Sequence, residues 1–162
     1  MAESQTLTRP ARNQPGWRAG LLALISPARP RLAQRRGLYA ATVAMRIAAA
    51  ALLAEIGYIH WHVWAEGYKF IHISGPLFLV DGIAGFVLAA AILVWARPLT
   101  GLLAAGFNVV TIAGLVISLA VGLFGFHESI HAAYVVESLI IESLAAIILG
   151  AWTVIAASAV SR

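Results

Sequence analysis

After residue 37 the chain consists of four long apolar runs separated by short polar breaks, and such runs leave few folds open. A helix rises about 1.5 Å per residue, so about 20 consecutive apolar residues cross the ~30 Å hydrocarbon layer of a bilayer. Spans are expected at about 40–64, 75–96, 100–126 and 134–158, divided by Ala65-Glu66-Gly67-Tyr68-Lys69, by Arg97-Pro98 and by His127-Glu128. Continuous runs of this kind disfavour a transmembrane barrel, whose strands alternate over ~10-residue segments. A hydrophobic share of 61% with 11% charged residues also lies above the ~45–50% apolar content of soluble domains. The expected fold is all-α, a four-helix transmembrane bundle over residues 38–162 behind an Arg- and Pro-rich tail, residues 1–37.

The formal net charge of +4 orients the chain and does not point to nucleic acid. Of the 11 basic residues, Arg9, Arg12, Arg18, Arg29, Arg31, Arg35 and Arg36 all precede residue 37. With four alternating spans, Arg97 and Arg162 fall on the same side, which by the positive-inside bias is the cytoplasm. Both termini are therefore expected there, in a plasma-membrane protein whose first partner is the lipid bilayer. Tyr58, Trp61, Trp64, Tyr68 and Tyr134 would mark the outer boundary, and Tyr39, Trp95 and Trp152 the inner one. In the tail, Gly20 to Ile25 is a short apolar stretch with no small-residue cleavage pattern after it, so it is read as retained. Residues Trp17 to Ile25 either lie in the headgroup layer or belong to a disordered tail.

Ionisable residues inside the runs are the candidates for function, since a charge at bilayer depth costs roughly 2.5–3.5 kcal/mol or more. Glu55, Asp81 and Glu142 fall at one expected depth, ~9–13 Å below the outer boundary, together with Ser118. Arg46 lies too far along and around the first span to neutralise Glu55, and is expected to snorkel to the inner headgroups. Buried carboxyls of this kind either stay protonated and bridge helices through Ser118, Ser138 or backbone carbonyls, or bind a proton or cation.

Metal ligands other than thiolates are available, because the chain has no cysteine but five histidines, His60, His62, His72, His127 and His131. All five lie on the expected outer side, where imidazole and carboxylate together suit Zn or Cu, and an imidazole pair would suit haem. The string His127-Glu128-Ser129-Ile130-His131 fits H-E-x-x-H, in which a helix aligns two zinc-binding histidines and the glutamate acts as general base. Glu137 stands six residues after the second histidine, where metzincins place their third ligand. The glycine turn of that pattern is missing, with Tyr134 in the segment instead, and a continuous helix would point Glu137 away from the histidines.

Gly114, Ser118 and Gly122 recur every four residues, a small-residue face suited to close helix packing or a homodimer, and Gly82, Gly85 and Ala89 make a similar patch. Three stretches carry a resemblance: Glu66-Gly67-Tyr68-Lys69 through Ile73-Ser74-Gly75-Pro76-Leu77-Phe78-Leu79; Gly122-Leu123-Phe124-Gly125-Phe126 with Glu128; and Val136-Glu137-Ser138-Leu139-Ile140-Ile141-Glu142. Over roughly residues 40–158 the chain resembles small four-span membrane proteins common in actinobacteria, mostly without assigned activity. The resemblance implies the topology and no substrate. On these grounds the chain is read as a small membrane module that packs against itself or a membrane partner, with no catalysis expected. The alternative is an outward-facing proton, metal or haem site built from the intramembrane carboxylates and outer histidines, and behind it a zinc hydrolase using Glu128.

Overall fold

The computed structural model describes residues 16–26 and 36–161, and these are helical with short connections. A short helix α1 (Gly16–Ile25) precedes four long ones: α2 (Arg36–Glu66), α3 (Ser74–Val94), α4 (Pro98–Ala120) and α5 (Val135–Ser161). All four long helices have the length and hydropathy to cross a membrane. Their outward faces carry Val94, Val110, Ile147 and Val154, each about two-thirds exposed, as suits side chains bathed in lipid. This is the architecture of a multi-pass membrane protein, and it bears out the all-α four-helix expectation. Of the tail, α1 packs against α4 and α5, while residues 1–15 and 27–35, with five of the tail arginines, lie outside the described residues.

Helix ends follow from local chemistry. Proline at the first turn of α4 excludes a helical conformation for Arg97, whose backbone is extended at φ −107° and ψ 139°, so α3 must stop just before. The third span was expected to reach residue 126, yet α4 ends at Ala120. Gly122 (φ 83°) leaves helical space there, and the chain then makes a tight turn over Phe124 (φ 53°) and Gly125 (φ 80°). Leu123 and Phe126 exchange hydrogen bonds across it, N to O at 2.7 and 2.9 Å. Two consecutive positive φ values closed by such a pair are the signature of a type I′ turn. An apolar run with glycines at its end was thus a helix followed by a hairpin turn.

Packing is uneven around the bundle. Helix α2 lies against both α3 and α5, α4 lies against α5, and α3 and α4 meet only slightly. In a bilayer, helices associate chiefly through close van der Waals fit, because lipid is as apolar as the helix faces. The closest backbone approach of two long helices is between α2 and α3, where a Cβ built on Gly85 would stand 2.8 Å from the Gly57 backbone. A Cβ on Gly82 would stand 3.1 Å from Trp61 N, so the expected small patch on α3 does form a helix seam, with Gly57 as its counterpart. In a second seam a Cβ built on Gly101 of α4 would stand 2.6 Å from the Trp152 ring and would also meet Thr153. The expected Gly114–Ser118–Gly122 seam is different. A Cβ on Gly114 would meet only a Leu123 methyl at 3.9 Å, Ser118 Oγ donates to Phe126 O, and Gly122 belongs to the turn. That face receives the returning connection and not a neighbouring helix.

Arg46 also differs from expectation. Its guanidinium donates to Ile92 O at 2.9 and 3.0 Å and to Leu93 O, which are among the last carbonyls of α3 and lack partners within that helix. A cation at a helix C-terminus also offsets the negative end of the helix dipole. The bundle's apolar core, Leu53, Ile56, Ile92, Ala104, Leu149 and Trp152, fills the half nearer this end. The opposite half, beneath the 67–73 and 121–134 connections, is less completely filled.

Candidate functional site

Each of three helices brings one ionisable side chain to the unfilled half. Asp81 and Glu142 each stand seven residues after the start of their helices at Ser74 and Val135, and His60 six before the end of α2 at Glu66. At 1.5 Å per residue all three lie ~10 Å below the loop end. His60 Nε2 is 3.8 Å from Glu142 Oε1, and Asp81 interacts electrostatically with both. The His60 ring is fixed by its Nδ1, 2.9 Å from Ile56 O. Because a carbonyl only accepts, Nδ1 carries the hydrogen, and in the neutral form of the ring the lone pair is at Nε2. Glu142 is 1% exposed, and its Oε2 has no hydrogen-bond partner.

These groups form the floor of a cavity of about 300 Å³ walled by α2, α3, α4 and α5. Its sides are chiefly apolar and aromatic: Ile59, Val63, Leu77, Phe78, Val110 and Leu115. His60, Phe78, Tyr68 and Phe126 follow one another from floor to roof in tilted and edge-on contacts, with ring centroids 5.4, 4.8 and 5.6 Å apart. Phe124 and Tyr134 complete the roof, and both hold left-handed backbone, φ 53° and 66°. For a bulky residue that conformation costs about 1–3 kcal/mol and persists only where the surroundings demand it. Leu77 and Val110 line the cavity and are 41% and 70% exposed on the outer surface of the bundle. The opening therefore lies at the loose seam between α3 and α4.

Tyr68 and Glu128 brace the roof. The phenol donates to Glu128 Oε2 at 2.8 Å, Ser129 N donates to Oε1 at 2.9 Å, and Glu128 N donates to Ser118 O. Burial, then the bond to the carboxylate, pushes the Tyr68 phenol well above its ordinary value. The hydrogen bond thus stays intact throughout the neutral range.

The expected sites rearrange accordingly. Glu55 does not join Asp81 and Glu142: it is exposed on the outer face of α2, and His60 takes the third place on the floor. The H-E-x-x-H string lies in the non-helical connection before α5, so His127 and His131 are not held on one helical face. Both are exposed, and Glu128, with both oxygens engaged, has no arrangement for activating a metal-bound water. His62 stacks on Tyr58, meets Tyr134 edge-on and pairs with Glu66 at 3.3 Å, whereas His72 and Glu137 are exposed. Among the described residues no three His, Asp or Glu side chains are grouped to hold a metal ion. Sequence reasoning missed Tyr68, Phe78 and Thr111 as site residues, since nothing in their spacing links them across helices. It also missed Asn108, buried in α4 with Nδ2 bonded to Ala104 O and Oδ1 unpartnered. No protein-family model matches the chain, and neither does any curated protein or solved structure.

Proposed function

We propose that the chain is a plasma-membrane protein with cytoplasmic termini whose cavity, in the outer half of the bilayer, binds a small ligand through Asp81 and Glu142. The observation that carries this reading is the buried Glu142 Oε2, without a partner and at the wall of an open cavity. Buried polar atoms are nearly always satisfied, and one left unsatisfied at a cavity wall marks where a ligand atom belongs. Strained aromatics in the roof support it, since such backbone outliers cluster at binding sites. The arginine distribution and aromatic boundaries support the orientation. The test is labelling with an apolar carbodiimide, which reacts with carboxylic acids that an apolar reagent can reach. In vesicles, mass spectrometry should find the adduct on Glu142, and Val110→Trp, which narrows the opening, should suppress it. An adduct on Glu55 alone would contradict an accessible cavity.

A second reading, a module that packs against another copy or a membrane partner, is favoured by Glu55. Its carboxylate is exposed on α2 beside a row of exposed small residues, Ala44, Ala48 and Ala51. A carboxyl facing hydrocarbon is costly, and a neighbouring helix would relieve that cost. Cross-linking of a cysteine placed at Ala48 tests it, and failure of copies to cross-link in vesicles would exclude self-association through this face.

A further inference from the structure

The cavity's polar atoms specify what kind of head group it receives. Resting on the ligand-binding reading above, we infer that this site takes an amphipathic amine, a protonated nitrogen on a compact apolar body.

Hydrogen-bond accounting leads there. Glu142 Oε2 and the Asp81 carboxylate offer only lone pairs when ionised, and neutral His60 presents a lone pair at Nε2 because its hydrogen goes to Ile56 O. Of the cavity's hydroxyls, those of Tyr68, Ser118 and Thr111 already have acceptors in the protein, while Ser74 and Ser138 also line the wall. Tyr68 donates to Glu128 and Ser118 to Phe126 O, while the single hydrogen of Thr111 is shared among Asn108 O, Phe107 O and the Glu142 carboxyl. No lysine or arginine lines the cavity. With two carboxylates and an imidazole lone pair on the floor, donors are what a ligand chiefly has to bring, and an ammonium brings three with no acceptor. An anion would meet carboxylates, and an alcohol could satisfy one oxygen with its single hydrogen.

Charge and walls agree with that accounting. Two carboxylates face one imidazole on the floor, so a cation is the complementary charge. Phe78 and Tyr68 turn aromatic surface toward the same space, and aromatic faces attract cations within about 6 Å. The remaining walls are aliphatic, and the opening between Leu77 and Val110 lies among lipid-facing side chains. An amine with an apolar body can reach it from the bilayer. The volume, about 300 Å³, is at the small end of the ~300–1,000 Å³ range of ligand pockets. A chain of about eight carbons suits it better than a full lipid.

Octylammonium, octanol and octanoate, which share a tail and differ in the head, form the test. Binding of each to the full chain is followed by native mass spectrometry from mild detergent, alongside Glu142→Gln, Asp81→Asn and Val110→Trp. Octylammonium should bind one per chain and at least tenfold more tightly than octanol, with octanoate weakest. Glu142→Gln and Asp81→Asn should each lose tenfold or more for the amine, while unchanged far-UV circular dichroism in the same detergent shows that the variants still fold. Val110→Trp should weaken every probe. Equal binding of all three heads, or an amine preference that survives in both acid variants, overturns the amine assignment and leaves the cavity standing. Absence of binding by any probe, while carbodiimide still labels Glu142, likewise refutes the amine. Absence of both binding and labelling refutes the cavity reading with it.

Discussion

Replacing Gly85 with alanine tests whether the α2–α3 seam is set by backbone contact. The new Cβ would stand 2.8 Å from both Gly57 Cα and N and 2.9 Å from Leu53 O, and none of these can rotate away as a side chain would. Restoring an ordinary 3.4 Å contact requires the helices to part by roughly 0.6 Å. A gap of ~0.5–1 Å already forfeits a quarter to a half of the dispersion energy of the atoms it separates. Overpacking of this kind costs about 1–3 kcal/mol, against which alanine regains about 0.5–1 kcal/mol of helix propensity over glycine. The net expectation is a loss of about 1–2 kcal/mol, and because His60 and Asp81 sit on the two helices that part, weaker binding in the cavity. Gly114→Ala is the counterpart. Its Cβ would meet only a Leu123 methyl at 3.9 Å, so the propensity gain should survive and the variant should be neutral or up to ~1 kcal/mol more stable. Unfolding of both variants by titration with SDS in mixed micelles measures the difference. Equal stability of the two, or a loss confined to Gly114→Ala, would refute the assignment of the seam to Gly57, Gly82 and Gly85.

Tyr68→Phe deprives Glu128 Oε2 of its donor and should cost about 1–3 kcal/mol in the same titration. A phenol held above its ordinary value in the folded protein stabilises the fold fully below pH ~10 and loses that contribution as the pH climbs past it. Phenolate absorbance should accordingly show one late-titrating tyrosine that Tyr68→Phe removes. Arg46→Met keeps the apolar stem but strips the donors from Ile92 O and Leu93 O, which should destabilise by about 1–2 kcal/mol, read by thermal melting in detergent. Phe124→Gly relieves a left-handed phenylalanine while opening the roof, so the melting temperature should hold or rise as octylammonium affinity falls.

Long-range features of the fold were legible because they rest on length and hydropathy. Residues that end a helix were legible too where the chemistry is local, as at Arg97-Pro98. The 121–126 segment misled because Gly122 and Gly125 act through positive φ, which hydropathy does not register. Within the site, depth could be counted along each helix, and Asp81 and Glu142, each seven residues into its helix, both line the cavity. Rotation about the helix axis could not be counted, since the apolar runs are nearly uniform around their circumference. Glu55 and His60, five residues apart on α2, therefore exchanged roles: the one expected inside faces outward, and the one expected at the rim reaches Glu142. Glu128 illustrates a different gap. Its string matched a zinc motif in residue type, but the motif's chemistry depends on a helix that this connection does not form.

Proximity between a bound ammonium and the Glu142 carboxyl tests the central claim most directly. Solid-state NMR in lipid bilayers can recouple the dipole between ¹⁵N-octylammonium and the side-chain carboxyl ¹³C of labelled glutamate. A charge-assisted N–H···O contact of ~2.7–2.9 Å places that carbon about 3.5 Å from the nitrogen. The predicted result is one strongly dephased glutamate carboxyl, which disappears in Glu142→Gln. Dephasing that survives this substitution, or none at saturating amine, would contradict a cavity in which Glu142 receives the ligand.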